Sequence, residues 1–288
     1  MTKRRVDTLL VDRGLADTPA KAQALVLAGQ VRAGERPISK PGLLVEEALP
    51  LVVAEGPRYV SRGGEKLDHA LTAFALDVSG FACADVGAST GGFTDCLLQH
   101  GAERVYAVDV GKGQLDYRLR TDPRVVVVEG ANVRHLTELP EMVDLVTVDV
   151  SFISLRLVLP VVRKWFEDER RGEACLAPTP RTRRAAADRV NPCPTPGVGT
   201  IVALFKPQFE ARKSEVPRGG VIVDPAMHST LIGRFTAWCT QNGFRVLDLT
   251  ASPILGAEGN REFLFWLRPS VETACRGVST PSEGGIPS

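Results

Sequence analysis

From Phe81 onward, short apolar runs alternate with amphipathic segments along the chain. The apolar runs have the length of strands, and the segments between them have helical periodicity. This combination predicts a largely parallel, doubly wound α/β sheet whose last two strands are antiparallel neighbours. The seven predicted strands are Cys83–Val86, Arg104–Asp109, Val125–Glu129, Leu145–Val148, Thr200–Leu204, Phe244–Leu249 and Phe263–Leu267.

The first 56 residues show a different pattern and are predicted to form a separate small α+β domain. Apolar residues at helical spacing begin at Val6, and Thr18 followed by Pro19 predicts a second helix with Thr18 as its N-cap. Val31–Ala33 and Leu51–Val53 are predicted as short strands. A unit of this size is too small for an enzyme core, so it is expected to be an accessory module.

Shifts in composition predict the remaining boundaries. Residues 57–60 are predicted as a linker and residues 61–268 as the α/β domain, which a helix from Leu67 to about Ala75 introduces. Residues 168–199 are rich in Ala, Pro, Arg and Thr and lack hydrophobic periodicity. They are predicted as a disordered insertion, with a functional loop as the alternative. Residues 269–288 are rich in Ser, Pro and Gly and are predicted as a disordered tail.

The chain has 288 residues, with 35 Lys and Arg against 34 Asp and Glu. This balance excludes an overall basic field, so any RNA contact must come from local basic clusters. No apolar run approaches the roughly 20 residues of a membrane span. The six cysteines form no Cys-x-x-Cys pair that would indicate zinc or a disulfide framework. The sequence therefore predicts a cytoplasmic protein without a membrane or metal partner, and it leaves the oligomeric state open.

The strongest local signal is the glycine-rich segment Asp85–Thr94, which leaves the first strand and enters a helix. Such a turn lets a ligand approach the backbone. Asp109 ends the next strand, where its carboxylate can accept hydrogen bonds from both hydroxyls of a ribose. A dinucleotide-binding turn needs a glycine where this chain has Ser89, which favours S-adenosylmethionine, a cofactor without a pyrophosphate. A structural turn without a ligand is the alternative.

One further polar residue, Asn132, follows the third strand. It is placed equally well to approach an adenine edge or to form an ordinary Asx-turn. The predicted cofactor-binding residues are Asp85, Gly87, Ser89, Thr90, Gly91, Gly92, Phe93, Asp109 and Asn132.

Four charged residues lie where a doubly wound fold places its active site. Asp149 and Lys206 follow apolar strands, Glu262 opens the final strand, and Lys66 comes just before the helix that enters the domain. The edge formed by strand ends is where open α/β sheets bind ligands. Two amines and two carboxylates suit methylation of a sugar hydroxyl, because that hydroxyl is a poor nucleophile until it is oriented and deprotonated.

Each of the four residues has an expected role. A lysine amine accepts a proton only when burial or a neighbouring cation favours its neutral form, and Lys66 beside Lys206 would provide that neighbour. Asp149 would hold a lysine and the hydroxyl in line with the methyl donor. Glu262 would orient one lysine or bind the substrate ribose. For any of them alone, a solvated or salt-bridged side chain is the alternative, so the prediction depends on their joint occurrence with the glycine-rich turn.

Six sequence motifs together give the chain a specific family resemblance. The sequence resembles the TlyA (haemolysin A) family of ribosomal RNA methyltransferases, whose catalytic domain is similar to FtsJ-type ribose 2′-O-methyltransferases. The N-terminal domain resembles the RNA-binding fold of a small-subunit ribosomal protein, the alpha-L motif. The resemblance covers nearly all of the chain, and the insertion at 168–199 is its departure. The matching stretches are Val60–Leu67, Asp85–Thr94, Tyr106–Gly111, Asp149–Ser154, Phe205–Glu210 and Gly259–Glu262.

The resemblance implies a Rossmann-like, seven-stranded methyltransferase domain with a catalytic tetrad. It also implies S-adenosylmethionine as cofactor and the ribose of a ribosomal RNA cytidine, in one or both subunits, as substrate. Basic residues of the N-terminal domain and of the segment after it are predicted to contact RNA phosphates, although a merely solvated charged face is the alternative. The tetrad is carried by Lys66, Asp149, Lys206 and Glu262, and the predicted RNA-binding residues are Arg4, Arg5, Arg13, Lys21, Arg32 and Arg62.

The sequence thus favours an RNA ribose 2′-O-methyltransferase. One alternative is a non-catalytic RNA-binding or ribosome-assembly factor on the same scaffold, against which the intact tetrad argues. Another is a haemolysin, as the historical family name suggests. The sequence offers no signal peptide, spanning segment or basic amphipathic helix in support of that activity.

Overall fold

A computed structural model describes residues 2–54, 56–166 and 199–270 of the protein. Nearly all of the predicted insertion at 168–199 and of the predicted tail at 269–288 lies outside these described residues. The chain divides into two compact units, Met1–Arg58 and Tyr59–Ser288.

The N-terminal unit is a small α+β structure with its own apolar core. The side chain of Thr18 accepts a hydrogen bond from the Lys21 backbone N–H (3.2 Å), so the predicted helix start is observed. Val6, Leu10 and Val26 are fully buried between the helices and strands. The elements are β1 (Lys3–Arg5), α1 (Val6–Asp12), α2 (Pro19–Leu27), β2 (Val31–Ala33), β3 (Arg36–Pro37), β4 (Leu44–Glu46) and β5 (Val52–Val53). Strand β1 pairs with β4, and β2 lies between β3 and β5, all antiparallel.

The second unit is the predicted α/β domain. Its helices are α3 (Gly63–Ala73), α4 (Gly92–Gln99), α5 (Tyr117–Arg120), α6 (Leu155–Val162), α7 (Pro207–Glu210) and α8 (Pro225–Gln241), with 3-10 turns at Val133–His135 and Arg163–Phe166. Its strands are β6 (Ala82–Val86), β7 (Arg104–Asp109), β8 (Val125–Glu129), β9 (Leu145–Val148), β10 (Thr200–Phe205), β11 (Phe244–Ala251) and β12 (Phe263–Pro269).

These seven strands form one sheet in the order β11-β12-β10-β9-β6-β7-β8. The neighbours from β10 to β8 are parallel, whereas β12 is antiparallel to both β10 and β11. Because side chains alternate along a strand, the two faces bury different residues. One face packs against α3 and α4, and the other packs against α6 and α8. The predicted doubly wound sheet is confirmed, including the antiparallel pair at the end of the chain.

One predicted boundary near the site is wrong. Helix α3 begins at Gly63 and not at Leu67, so Lys66 lies inside the first turn of the helix and not before it. Two glycines would ordinarily disfavour a helix start. Here the space is needed, because a Cβ on Gly64 would lie 2.2 Å from the ring of Tyr59. Tertiary packing therefore decides where this helix begins.

Among the residues described by the structure, no helix combines the length and the apolar character that a membrane crossing requires.

Candidate active site

All four residues of the predicted tetrad line one cavity of about 430 Å³, together with residues of the glycine-rich turn. The topology of the sheet explains their convergence. Strands β9 and β10 are parallel, so their carboxyl ends, which Asp149 and Lys206 follow, meet at one edge. Strand β12 is antiparallel to β10 with Phe263 opposite Phe205, so Glu262, just before β12, lies at the same edge.

The four charged side chains form two ion pairs. Lys66 Nζ donates to Glu262 Oε2 at 2.5 Å, and this pair is buried. Lys206 Nζ lies 2.7 Å from Asp149 Oδ1 and donates to Ser151 Oγ at 2.8 Å. Each lysine of the tetrad therefore has a carboxylate as its ion-pair partner.

The glycine-rich turn packs directly against the segment that carries Asp149. Gly87 has a φ of +84°, and a Cβ at this position would lie 2.3 Å from the Asp149 carbonyl oxygen. Ser89 also has a positive φ, +49°, which is costly for a residue with a side chain. Conformations of this kind persist only when neighbouring contacts hold them, and they cluster at ligand sites.

Asp109 provides the contact that holds this turn. Its carboxylate accepts hydrogen bonds from the backbone N–H of Ser89 (2.8 Å) and of Gly111 (2.6 Å). The acid at the end of β7 therefore fastens the turn at the end of β6, its parallel neighbour. Lone pairs remain on both oxygens for a further donor, because each carboxylate oxygen accepts more than one hydrogen bond.

A second cavity of about 410 Å³ adjoins the first and shares Gly87, Ser89 and Asp149 with it. Asp109 and Asn132 line this second cavity. Asn132 Oδ1 accepts a hydrogen bond from the Arg134 backbone N–H (3.1 Å), so the Asx-turn expected as one alternative is present. Asn132 also lines this cavity. Because Oδ1 takes part in the turn, Nδ2 is the group that can donate to a ligand. The two alternatives are therefore compatible.

Two predicted cofactor-binding residues do not line either cavity. Asp85 is fully buried and accepts hydrogen bonds from the hydroxyls of Thr94 (2.7 Å) and Thr147 (3.1 Å). Burial raises its pKa to about 7, against the opposing effect of these two hydrogen bonds. Gly91 packs under the turn, where a Cβ would lie 2.2 Å from a methyl of Leu119. Both residues support the turn from beneath, and their contact with a cofactor stays a prediction.

Two residues that sequence reasoning missed lie beside the tetrad. Ser151 accepts the hydrogen bond from Lys206, as described above. Phe152 has a φ of +62° and is 86% exposed, and its ring centroid lies 5.2 Å from that of Phe209. An exposed aromatic ring in a strained backbone is a signal that only the three-dimensional structure provides, because a Phe after a strand end is ordinarily expected in the core.

The predicted RNA-binding residues divide into two groups. Arg4 pairs with Asp12 and Glu47, and Arg5 pairs with the buried Asp7. Arg13 donates to the backbone carbonyl of Leu49 at 2.7 Å and to that of Glu47. These three guanidinium groups bind other parts of their own domain, and their contact with RNA stays a prediction. Lys21 and Arg32 are exposed on the N-terminal unit, and Arg62 is exposed and lines the tetrad cavity.

Outside the tetrad cavity, Asp68, Cys96 and His100 bring three possible metal ligands together. Both imidazole nitrogens already have protein partners. His100 Nδ1 lies 2.9 Å from the Cys96 carbonyl oxygen, and Nε2 lies 3.2 Å from Asp68 Oδ1. The contact with Asp68 joins the end of α4 to α3.

The sheet order, the glycine-rich turn fastened by a strand-end acid, and the converging tetrad define a Rossmann-like methyltransferase. Residues 59–269 match the FtsJ-like methyltransferase family, and residues 4–48 match the S4 domain. The chain therefore belongs to the FtsJ-like methyltransferases and, within them, to the TlyA family.

Individual relatives support this assignment over nearly the whole chain. The 16S/23S rRNA (cytidine-2′-O)-methyltransferase TlyA of Mycobacterium tuberculosis is 42% identical over 278 residues, 94% of this chain and 92% of the relative. Hemolysin A of Brachyspira hyodysenteriae is 34% identical over 263 residues, 90% of this chain and 98% of the relative. A solved structure of a candidate hemolysin from Streptococcus thermophilus has a TM-score of 0.62 and 38% identity, covering 94% of this chain and 90% of that one.

Proposed function

We propose that this protein transfers a methyl group from S-adenosylmethionine to the 2′-hydroxyl of a cytidine in ribosomal RNA. The observation that carries the proposal is the convergence of Lys66, Asp149, Lys206 and Glu262 on the cavity lined by the glycine-rich turn. The Mycobacterium relative named above as an rRNA (cytidine-2′-O)-methyltransferase supports the choice of substrate.

The two adjoining cavities fit the cofactor. Gly87, which lines both cavities, lets the turn pack against the Asp149 backbone where a Cβ would collide with it. Asp109 is placed to accept hydrogen bonds from the hydroxyls of a ribose, and Asn132 to meet the edge of a base. S-adenosylmethionine, when bound, supplies an electrophilic methyl group on a sulfonium. The residues shared by the two cavities are the ones that would lie nearest to that methyl.

We assign the removal of the hydroxyl proton to the Lys206–Asp149 pair. Lys206 is placed to hold the hydroxyl oxygen, and the Asp149 carboxylate, 2.7 Å from the amine, is placed to accept the proton that the hydroxyl loses. Ser151 holds the same amine from another side at 2.8 Å. Holding the oxygen in line with the methyl contributes a large part of the rate. The reactants then lose their rotational and translational entropy on binding, and not in the transition state.

The Lys66–Glu262 pair is assigned a binding role. With its Nζ held by Glu262 at 2.5 Å, Lys66 presents a fixed positive charge and hydrogen-bond donors to the cavity. Both suit a ribose oxygen or the adjoining phosphate. The exposed ring of Phe152 is a surface on which an unstacked base can pack, as single-stranded RNA recognition requires.

The S4 domain is assigned the sequence-independent part of RNA binding. Lys21 and Arg32 are its exposed candidates for phosphate contacts, and Arg62, which lines the tetrad cavity of the second unit, is a separate candidate. Phosphate contacts supply affinity and register, whereas the choice of nucleotide depends on contacts near the tetrad.

The proposal is tested by incubating the full chain with tritium-labelled S-adenosylmethionine and ribosomal RNA, both as free RNA and within each subunit. Label in 2′-O-methylcytidine after nuclease digestion is the expected result. Lys206→Ala is expected to abolish it, whereas Lys213→Ala, at an exposed lysine nearby, should not. Label on a base, or no transfer to any RNA despite bound cofactor, contradicts the proposal. Transfer that survives Lys206→Ala contradicts the assigned chemistry.

A further inference from the structure

The segment that carries Asp149 and the segment that carries Lys206 are joined by a buried carboxylate that lines neither cavity. Glu210 is the last residue of α7, the short helix that begins immediately after Lys206. Its side chain is only 1% exposed. A buried carboxylate is unfavourable unless hydrogen bonds satisfy it, so its partners indicate what it does.

Both oxygens of Glu210 bind the start of helix α6, which follows the Asp149 segment. Oε1 accepts from the Leu155 backbone N–H at 2.6 Å, and Oε2 accepts from the Ser154 hydroxyl at 2.7 Å. Ser154 is the N-cap of α6, and its oxygen in turn accepts from the Arg156 backbone N–H (3.2 Å). The carboxylate therefore pairs one N–H group that a helix leaves unpaired at its first turn, where negative charge is favourable, and it holds the N-cap side chain that pairs another.

These contacts fix one segment against the other at a distance from the cavity. Residues 149–154 are anchored at one end by strand β9 and at the other by the helix start that Glu210 holds. Residues 206–210 are anchored by β10 and by Glu210 itself. Between the two anchors lie the Lys206–Asp149 ion pair and the Phe152–Phe209 ring contact.

We infer that Glu210 is a positioning residue that sets the Lys206–Asp149 geometry by clamping the start of α6 to the end of α7. This inference rests on the proposed function, since it assigns a role within that active site. Burial raises the pKa of Glu210, and the hydrogen bonds from Ser154 and Leu155 oppose the rise, as expected for a carboxylate retained for its contacts.

The test compares Glu210→Gln with Glu215→Gln in the full chain. Glu215 is a matched control, because it also accepts from a backbone N–H (Arg212, 2.9 Å) and from a side chain (Arg234, 2.6 Å) but touches neither segment of the clamp. Gln keeps the size of the side chain but has a single acceptor oxygen and no charge, so it cannot accept from the Leu155 N–H and the Ser154 hydroxyl at the same time.

Glu210→Gln is expected to lower the single-turnover rate of methyl transfer by about 10²-fold, the effect of misplacing reacting groups by roughly 1 Å. The KM for RNA, the Kd for S-adenosylmethionine and the midpoint of unfolding should stay close to the wild-type values. Glu215→Gln should leave the rate unchanged. A wild-type rate in Glu210→Gln, or a loss of cofactor affinity and folding that matches the loss of rate, overturns the inference.

The Ser154 contact provides an independent check. Ser154→Ala removes one donor of the clamp, and it should slow transfer less than Glu210→Gln. The double variant should be no slower than Glu210→Gln alone, because both changes break the same contact. Losses of rate that multiply would show that Ser154 and Glu210 act separately.

A crystal structure of Glu210→Gln tests the inference without any activity. The separation of Lys206 Nζ and Asp149 Oδ1 is expected to exceed about 3.5 Å, beyond hydrogen-bond range. An unchanged pair in that structure overturns the inference. Wild-type protein that transfers no methyl group would instead contradict the proposed function, so the two failures are distinguishable.

Discussion

Lys66 and Glu262 lie 196 positions apart in the sequence and form a buried ion pair in the structure, with 2.5 Å between Nζ and Oε2. The lysine comes from the first turn of α3 and the glutamate from the residue before β12. The pair therefore ties the beginning of the methyltransferase domain to the last strand of its sheet. The same two side chains are therefore expected to contribute both to the stability of the fold and to methyl transfer.

Lys66→Ala should destabilise the protein and stop methyl transfer. Removing one partner leaves the other charge buried and unpaired, which costs about 3 kcal/mol of unfolding free energy. The double variant Lys66→Met, Glu262→Leu should recover most of this stability but no activity, because apolar side chains can replace a buried pair without replacing its chemistry. Urea unfolding and methyl-transfer rates measure the two effects. A Lys66→Ala protein as stable as the wild type would show that the pair is not formed in solution.

Asn132→Asp should separate the two roles open to Asn132. The aspartate keeps an oxygen that can accept from the Arg134 backbone N–H, so the turn and the midpoint of unfolding should be preserved. It loses the amide N–H₂ group, the donor that Asn132 could offer to a ligand in the second cavity. Calorimetry should therefore show a cofactor Kd about tenfold weaker, the effect of roughly 1.4 kcal/mol. Unchanged affinity would leave Asn132 with the structural role alone.

The buried Asp85 predicts a dependence of stability on pH. Burial raises its pKa in the folded protein from 3.8 to about 7. Between these values the folded state holds a proton that the unfolded state has lost, so the unfolding free energy should fall as pH rises from about 4 to about 7 and then level off. Asp85→Asn resembles the neutral acid and should remove this component, an effect of a few kcal/mol. Urea unfolding at pH 5, 6, 7 and 8 tests it, and parallel curves for both proteins would contradict it.

Arg13 and Arg32 should respond differently to alanine. Arg13→Ala removes hydrogen bonds to two backbone carbonyls and should weaken protection of α1 amides in hydrogen exchange, by about 2 kcal/mol. Arg32→Ala should leave that protection intact and weaken RNA binding, reducing the slope of log K against log salt by about one. If the two variants weaken RNA binding equally and Arg13→Ala leaves the protection of the α1 amides intact, Arg13 contacts RNA and does not act through the fold.

The sheet could be predicted in detail because its central strands are buried on both faces. Such strands appear in the sequence as continuous apolar runs, and Arg104–Asp109 and Leu145–Val148 are observed at their predicted limits. The edge strand Val125–Glu129 is only partly buried, but it is equally apolar and is also observed at its predicted limits. The convergence of three tetrad residues also follows from the sequence, since the edge at which strands end is fixed by topology.

What could not be predicted depends on non-local partners. Glycine at 63 and 64 argues locally against a helix, and only the ring of Tyr59 over Gly64 explains the start of α3. The complete burial of Asp85 could not be predicted either, because the sequence places this acid next to a glycine-rich turn that is expected to meet a ligand. Arg13 finds its acceptors 34 and 36 residues away. Each of these contacts is set by packing, which the periodicity of the chain does not encode.

The missing side chain at Gly87 has a mechanical consequence. Because the turn packs against the Asp149 carbonyl oxygen there, a Cβ at position 87 would push the two segments apart. Any substitution of Gly87 would therefore displace the acid as well as change the shape of the turn.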